Sequence, residues 1–411
     1  MEDIKAITFT DPKVLECPFP AYRRLRDEAP VHRDPVTGMF VITRYEDCKA
    51  IAANPALFSN RTWQASDAGA TSPEAVEIAR LWREEASPHV DTMQSNDPPS
   101  HRKYRGLVDA AFRPTRIEAL AGGIETIAHG LIDGFAARGN AEMVSAFSVP
   151  LPMYVIADQL GVPRSDRDDF KRWSDALLVA GDLTAPAAAR LPAVREVVKM
   201  HRYLAERVEH FRAQPADNII SDLAAATYEG RALEMPEIVS ILQQLLVAGN
   251  ETTTNTIAMG LELMIREGLE PALRAAPERI PDFVEEVLRR TCALQGLWRR
   301  AVEDTELHGV AIPKGAILML RWGSANMDER KFPDPERFDM DRTNVKQHLT
   351  FGFGIHYCVG NVLARTELRV AFATLLARLS GLRLAAGPDA VQRVAFGHAW
   401  GLSRLAVEFS P

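Results

Sequence analysis

Two short stretches of this 411-residue chain hold residue types whose spacing could do chemistry. The first is Phe351-Gly-Phe-Gly-Ile-His-Tyr-Cys358-Val-Gly360, which leads from an apolar, strand-like approach into an amphipathic helix. Gly352 and Gly354 permit backbone angles that a side chain would forbid and let the backbone lie against a flat ligand; Gly360 is expected to do the same at the turn into the helix. Cys358 then sits on a tight loop just ahead of a helix N-terminus. Unpaired amides and the helix dipole there favour a thiolate over a thiol. The second stretch is Ala248-Gly249-Asn250-Glu251-Thr252-Thr253, in the middle of a long apolar segment. An acid beside an alcohol in such surroundings is costly unless it serves something. Small residues let a flat ligand approach, and a Thr hydroxyl can bond the carbonyl four residues back and open the helix locally.

A thiolate walled by glycine, with Phe351 and His356 close by in sequence, is a soft metal ligand, and the iron of haem is one metal that takes a single Cys from the protein. The run resembles, at every defining position, the haem-binding signature of the cytochrome P450 family, the haem-thiolate monooxygenases. The resemblance implies that Cys358 is the proximal ligand of haem b and that His356 hydrogen-bonds a propionate. It also places Phe351, Gly352, Gly360 and Ala364 around the cofactor, with Ala248 and Gly249 against its other face. Glu251 and Thr252 are similar to the family's acid–alcohol couple, which delivers protons during oxygen activation. One departure is mild: bacterial members commonly carry Asp where this chain has Glu251.

The elements that must position these residues read as mostly helical. The pattern predicts helices over 21–28, 45–53, 117–138, 151–161, 167–180, 193–214 and 219–225, and a helix over 361–380 behind the cysteine loop. The longest covers 235–267, with Pro236 suited to a first turn and Gly268 to the end. At roughly 32 residues and about 1.5 Å each it could span the whole domain. β-like runs at 31–33, 39–43, 308–312 and 316–322 are separated by turn residues. Residues 61–96 read as an irregular segment, which the resemblance makes a lid over the substrate, and 181–192 as a loop in the pocket roof. No linker or repeat divides the chain. The expected fold is mainly α with a small β region (a β-rich edge at about 30–60 and 300–325), in one domain over 1–411. The resemblance implies the cytochrome P450 fold, with the long central helix over a haem sandwiched against the cysteine-loop helix.

Further residues take roles only through that resemblance. Ser100 is a candidate N-cap for a helix carrying His101 and Arg105 one turn apart, which become propionate donors; Arg299 joins them, with Arg300 as its competitor. Glu286 and Arg289, three apart on one helix, resemble two members of a structural lock in which Arg337 is the third. Candidate substrate-pocket residues are Trp63, Trp82, Gln244, Val247, Ala248, Leu294, Gln295, Leu297, Phe396 and His398, describing a mainly apolar cavity.

Composition narrows the partners. With 46% apolar residues the chain can bury a large core, and a net charge of −7 argues against nucleic acid. Four cysteines far apart, with no Cys-x-x-Cys pair, fit a reduced cytoplasmic setting. The N-terminus has no apolar run long enough for a membrane anchor. The family expectation is a monomer that uses O2, a small hydrophobic substrate, and electrons from NAD(P)H through a ferredoxin reductase and ferredoxin. Arg102, Lys103, Arg113, Arg116, Arg365 and Arg369 would form its cationic docking patch. The product would be a hydroxylated or dealkylated molecule. Alternative readings are a peroxide-driven peroxygenase and a haem-binding sensor or carrier without turnover.

Overall fold

Apolar positions recurring at helical spacing produce one uninterrupted helix from Met235 to Arg266, 32 residues long. Its ends fall where the sequence put them. Pro236 occupies the first turn, where a missing N–H costs nothing, and Gly268 follows the last turn with φ +63°. The computed structural model describes residues 3–62, 72–181, 186–395 and 398–411. Packing divides the chain into two units, one of Met1–Thr62, Pro114–Leu151 and Thr252–Pro411, the other of Trp63–Arg113 and Pro152–Glu251.

The first unit contains both main sheets. A five-stranded sheet runs in the order Val31–Arg33, Phe40–Ile42, Ile317–Leu320, Leu297–Ala301, Phe58–Ser59. Its pairs are antiparallel except for Phe40–Ile42 against Ile317–Leu320, which is parallel. This is the β-rich edge expected from the sequence. Under it lies a core of Phe40, Ile42, Leu318, Leu320, Trp322 and Phe332, all buried. The second sheet is built from the long C-terminal strand Trp400–Ser410, flanked by Ser380–Leu384 and Val391–Ala395. Two helices carry chemistry in this unit. Ile280–Thr291 is strongly amphipathic, and Asn361–Arg378 follows the cysteine loop and buries Leu363, Leu368, Phe372 and Leu375.

The second unit is helical. Arg167–Gly181 and Ala187–Ala213 pack together, with the rings of Trp173 and Tyr203 5.0 Å apart and Arg172 paired to Glu196 at 2.8 Å. Three sequence expectations need correction here. Within 61–96, Pro73–Glu84 is a helix: Ser72 caps it by accepting from the Ala75 amide, Pro73 fits the first turn, and Ile78 and Leu81 give it a buried face. Within 181–192, a helix already starts at Ala187 and carries Pro192 inside it. Ser100 is not an N-cap. It is the first helical residue of Ser100–Asp109, and its hydroxyl donates back to Asn96 Oδ1 at 3.0 Å. Trp63, Phe396 and Gly397 lie outside the described residues.

Candidate active site

The cysteine loop shows why glycine is needed at two of its three positions. Gly352 and Gly354 have φ of +70° and +76°, and a Cβ on Gly354 would come within 2.7 Å of the Ala52 carbonyl oxygen. Gly360 corrects the sequence reading: at φ −83° and ψ 9° it sits in a region open to any residue, as the N-cap of the following helix. The turn Gly354–His356 then delivers Cys358 three residues before that helix starts. The Cys358 amide donates to the Phe351 carbonyl at 2.9 Å, which closes the loop. Cys358 itself is half-buried, whereas Cys48 and Cys292 are fully buried and burial pushes their thiols up, Cys292 to about 12.

Behind the loop runs a chain of polar contacts that the sequence did not reveal. Asn361 Nδ2 donates to the Cys358 carbonyl at 2.8 Å, and Arg365 donates to Asn361 Oδ1 at 3.0 Å. The Arg365 guanidinium lies 4.4 Å over the Phe351 ring and donates to Glu285 at 2.5 Å. Glu285 also meets His348 Nε2 at 3.3 Å. His348 Nδ1 accepts from the Thr350 amide at 3.3 Å, so Nε2 carries the proton and donates to Glu285. Burial pulls the Glu285 pKa upward, but the hydrogen bonds from His348 and Arg365 and the Arg365 charge outweigh it, leaving the carboxyl at about 2. A fixed carboxylate thus orients Arg365, which orients Asn361, which holds the Cys358 backbone. Arg365 is committed inward, which removes it from the expected docking patch.

On the central helix the sequence-predicted notch is present. Leu246, Asn250 and Thr253 are buried, yet Ala248 in the same turns is exposed and Gly249, Glu251 and Thr252 are partly accessible. One face of a core helix is therefore open at its smallest residues. Asn250 donates to Ser174 Oγ at 3.1 Å. The Thr256 hydroxyl bonds back along this helix, donating to the Thr252 carbonyl at 2.7 Å. Burial raises the Glu251 pKa and Asp175 raises it further, while Lys171 opposes them, so its carboxyl holds a proton more readily than an ordinary Glu. Glu367, on the cysteine-loop helix, was not singled out from sequence. It is fully buried, its carboxyl is hydrogen-bonded to the Thr253 side chain, and burial keeps it far above the usual carboxylate range.

Other predicted residues divide by what they touch. His101 is buried, with its pKa lowered by burial and then by Arg105, which itself donates to Asp109 at 2.7 Å. Arg299 is buried on the strand Leu297–Ala301, sharing a face with Leu297. Arg300 points to the opposite face and donates to the Arg61 and Thr62 carbonyls at 3.2 Å. Gln295 is buried, its amide donating to the Thr291 and Cys292 carbonyls at 3.2 and 2.7 Å and accepting from the Tyr22 hydroxyl at 3.1 Å, so it braces the fold. Gln244 spans Thr92 Oγ1 (2.8 Å) and the Gln94 amide (3.0 Å). Trp82 packs near the His201 ring at 6.2 Å, and the His398 ring sits 4.9 Å from Trp298. Leu294 bridges to Ala399 beside the C-terminal strand.

The structural lock has a different third member from the one expected. Arg289 clasps Glu286 with two bonds of 2.7 and 2.6 Å, both side chains fully buried. Arg342, not Arg337, completes it: Arg342 Nε lies 3.3 Å from Glu286, and its other nitrogens donate to the carbonyls of Pro333, Asp334 and Arg337. Arg337 is 68% exposed at a surface turn, with only Asp339 at 3.8 Å.

Comparison with known proteins bears on this geometry. The Cytochrome P450 family profile matches residues 280–384, from the helix of Glu286 to the strand after the cysteine-loop helix. Cytochrome P450 107B1 of Saccharopolyspora erythraea is 36% identical over 378 residues, 90% of this chain and 89% of that protein. This chain belongs to the cytochrome P450 family. The mycinamicin IV hydroxylase/epoxidase of Micromonospora griseorubida is 38% identical over 371 residues, 88% of each chain. The solved structure of cytochrome P450 CYP109Q5 from Chondromyces apiculatus superposes with a TM-score of 0.86 at 34% identity, covering 99% of both chains. The fold is the P450 fold, and the enzyme is a P450 monooxygenase whose cofactor is haem b, held in this family through a cysteine thiolate. The donor chemistry around Cys358 fits that cofactor. Among the described residues no three His, Cys, Asp or Glu side chains gather to hold a metal ion, so a metal at Cys358 must bring further donors, as a porphyrin does. No helix among the described residues is long and apolar enough to cross a membrane.

Proposed function

We propose that this P450 inserts one oxygen atom from O2 into a small hydrophobic substrate, by hydroxylation or oxidative dealkylation, with Cys358 as the ligand of the haem iron. Haem b, when bound, supplies the activation of O2 and the oxygen insertion. The observation that carries the reading is the built loop at Cys358: two glycines at positive φ, a closing bond to Phe351, and a helix N-terminus immediately ahead. The helix end favours the thiolate, and the Asn361–Arg365–Glu285 chain fixes the backbone that carries it.

The remaining residues bind, orient or move protons. His356, His101, Arg105 and Arg299 would hold the propionates by charge-assisted and neutral hydrogen bonds. Phe351, Gly352, Gly360 and Ala364 wall the thiolate side; Ala248 and Gly249 offer the open helix face. Glu251, whose pKa is raised, would carry a carboxylic proton drawn from solvent and give it to Thr252 Oγ1 as that hydroxyl releases its own proton toward the open face, each group being reset by the next proton from water. Val247, Leu294, Leu297, Trp82, Gln244, Gln295 and His398 are the residues we assign to the substrate, together with Phe396, which lies outside the described residues. The hydroxylase/epoxidase relative supports oxygen insertion as the reaction type. Glu286, Arg289 and Arg342 keep the scaffold of the cysteine loop fixed.

Electrons come from NAD(P)H through an acidic ferredoxin and its reductase, which dock on cationic side chains. Arg102, Arg113 and Arg369 are exposed, while Lys103 is paired to Glu229. We take the protein to be a cytoplasmic monomer working as one catalytic domain over 1–411. The test is Thr252→Ala in a reconstituted turnover assay. The variant is expected to consume NAD(P)H at a rate near that of the parent while releasing peroxide in place of product. Coupling equal to the parent's would remove the proton-relay assignment.

A further inference from the structure

A second cleft, of about 720 Å³, opens in the first unit, and none of its lining residues is among those assigned above to haem, substrate or lock. Its size is that of a small-molecule site. The floor is apolar: Met259 and Met327 are buried, Leu263 lies between them and the rim, and Phe19 meets Trp400 edge-on at 5.1 Å. The walls are cationic. Arg23, Arg24, Arg266, Arg290 and Arg393 line it with Glu262 and Glu336; Arg24 is also paired to Glu28 at 3.4 Å, so five guanidinium groups meet three carboxylates, an excess of two positive charges in a chain whose net charge is −7.

Two features make this more than a solvated basic surface. Glu262 is 5% exposed and is clamped by Arg266 at 2.8 Å and by Arg393 through two contacts of 3.0 Å, while the Arg393 guanidinium also stacks 4.7 Å over Trp400. One carboxylate thus serves two guanidinium groups, Arg393 stacked on Trp400 and Arg266 half exposed, and one positive charge is left over. Arg290 donates to the Glu336 carbonyl oxygen, and among the described residues no carboxylate lies within ion-pair distance of it. Burial and the neighbouring Arg289 lower its pKa against the opposing pull of Glu286, Glu267 and Glu336, so this cation has negative charge nearby but no direct carboxylate partner among the described residues. A desolvated cation is relieved by an anion, and a fork of guanidinium N–H groups matches a carboxylate in shape.

We propose that this cleft binds a small amphipathic carboxylate, its head at Arg290 and Arg393 and its tail along Met259, Leu263 and Trp400. The site is separate from the substrate pocket. It lies beside the helix that carries Glu286 and Arg289, so an occupant would stiffen the scaffold of the cysteine loop from outside the reaction chamber.

The experiment measures dodecanoate binding to the haem-loaded protein by equilibrium dialysis, with 4-phenylimidazole first bound to the iron to close the reaction pocket. Coordination of the azole is read separately from its shift of the haem band, so failure of the haem assignment and failure of this one are distinguishable. One equivalent of dodecanoate is expected to bind the azole-blocked protein, and dodecanol much more weakly. Arg23 and Arg24 lie on the helix Phe19–Glu28 away from its buried residues Tyr22, Leu25 and Arg26, so the double variant Arg23→Glu/Arg24→Glu should fold normally with an unchanged haem spectrum. It should weaken binding by about tenfold, because the charge of the cleft lining changes by four units toward negative while the head-group contacts at Arg290 and Arg393 stay in place. Raised salt should weaken the parent's binding in the same direction. Absence of dodecanoate binding with the azole in place, equal binding of dodecanol, or unchanged affinity in the double variant would overturn the proposal.

Discussion

Replacing Arg342 by Ala is expected to destabilise the enzyme where Arg337→Ala does not, and the difference can be worked from the structure. Arg342 is 6% exposed and gives Glu286 one charge-assisted bond of 3.3 Å, plus three bonds to loop carbonyls at 2.7, 3.1 and 3.2 Å. Stripping a buried charge of every partner costs about 3–5 kcal/mol. That limit is not reached, because Glu286 keeps both bonds from Arg289. A single hydrogen bond to a charged group is worth about 1.5–3 kcal/mol, and the loop carbonyls lie near enough to water to be rehydrated. The expected loss is therefore about 2 kcal/mol. Arg337, 68% exposed and 3.8 Å from its nearest carboxylate, should contribute within about 0.5 kcal/mol. For a chain of this length, with an unfolding entropy of about 2 cal/mol/K per residue, 2 kcal/mol moves Tm by only about 2 °C. A urea titration read by haem absorbance and far-UV circular dichroism is the better assay. With a slope of about 4 kcal/mol/M for a large domain, Arg342→Ala should lower the midpoint by about 0.5 M. A larger shift for Arg337→Ala than for Arg342→Ala would refute this assignment of the lock.

Three other outcomes follow from the site. Glu285 has its pKa held at about 2 instead of the ordinary 4.5. Its contribution is fully present above about pH 4.5 and is lost as pH falls toward 2, roughly 3 kcal/mol in all. Glu285→Gln should remove that acid limb from a stability–pH curve measured by urea unfolding, and an unchanged curve would dissolve the Glu285–Arg365 linkage. Gly354→Ala places a Cβ within 2.7 Å of the Ala52 carbonyl at a φ of +76°, so haem content per protein should fall with a loss of roughly 2 kcal/mol in stability. Gly360→Ala, at an ordinary φ, should keep full haem content, and the same pair of measurements would expose the reverse order. Arg299→Ala should weaken haem retention in an apomyoglobin transfer assay more than Arg300→Ala, whose side chain is tied to loop carbonyls on the other face; equal rates would count against Arg299 as a propionate partner.

Much of the fold was legible because its strongest signals are local. The central helix ends where Pro236 and Gly268 say it should, and the strands at 31–33 and 40–42 follow their turn residues. The helix Pro73–Glu84 was readable as well, from Ser72-Pro73-Glu74, but scattered tryptophans drew attention to irregularity instead. What escaped was long-range and polar. Nothing in the one-dimensional pattern distinguishes Arg342 from Arg337, since both follow the same loop and only the folded chain turns one toward Glu286. Gln295 reads as a polar group in an apolar pocket, and its three partners, one of them 273 residues away, are not visible in that reading. Glu285 was overshadowed by its neighbour Glu286, and Glu367 lay in a helix read by its apolar face alone.

The sulfur of Cys358 is the claim on which the rest depends, and the carbon monoxide complex of the reduced enzyme tests it most directly. The parent protein should show the red-shifted reduced–CO band that gives the family its name, and Cys358→Ser should bind haem without that band. A Ser variant that keeps the band, or a parent that never shows it, would contradict the assignment.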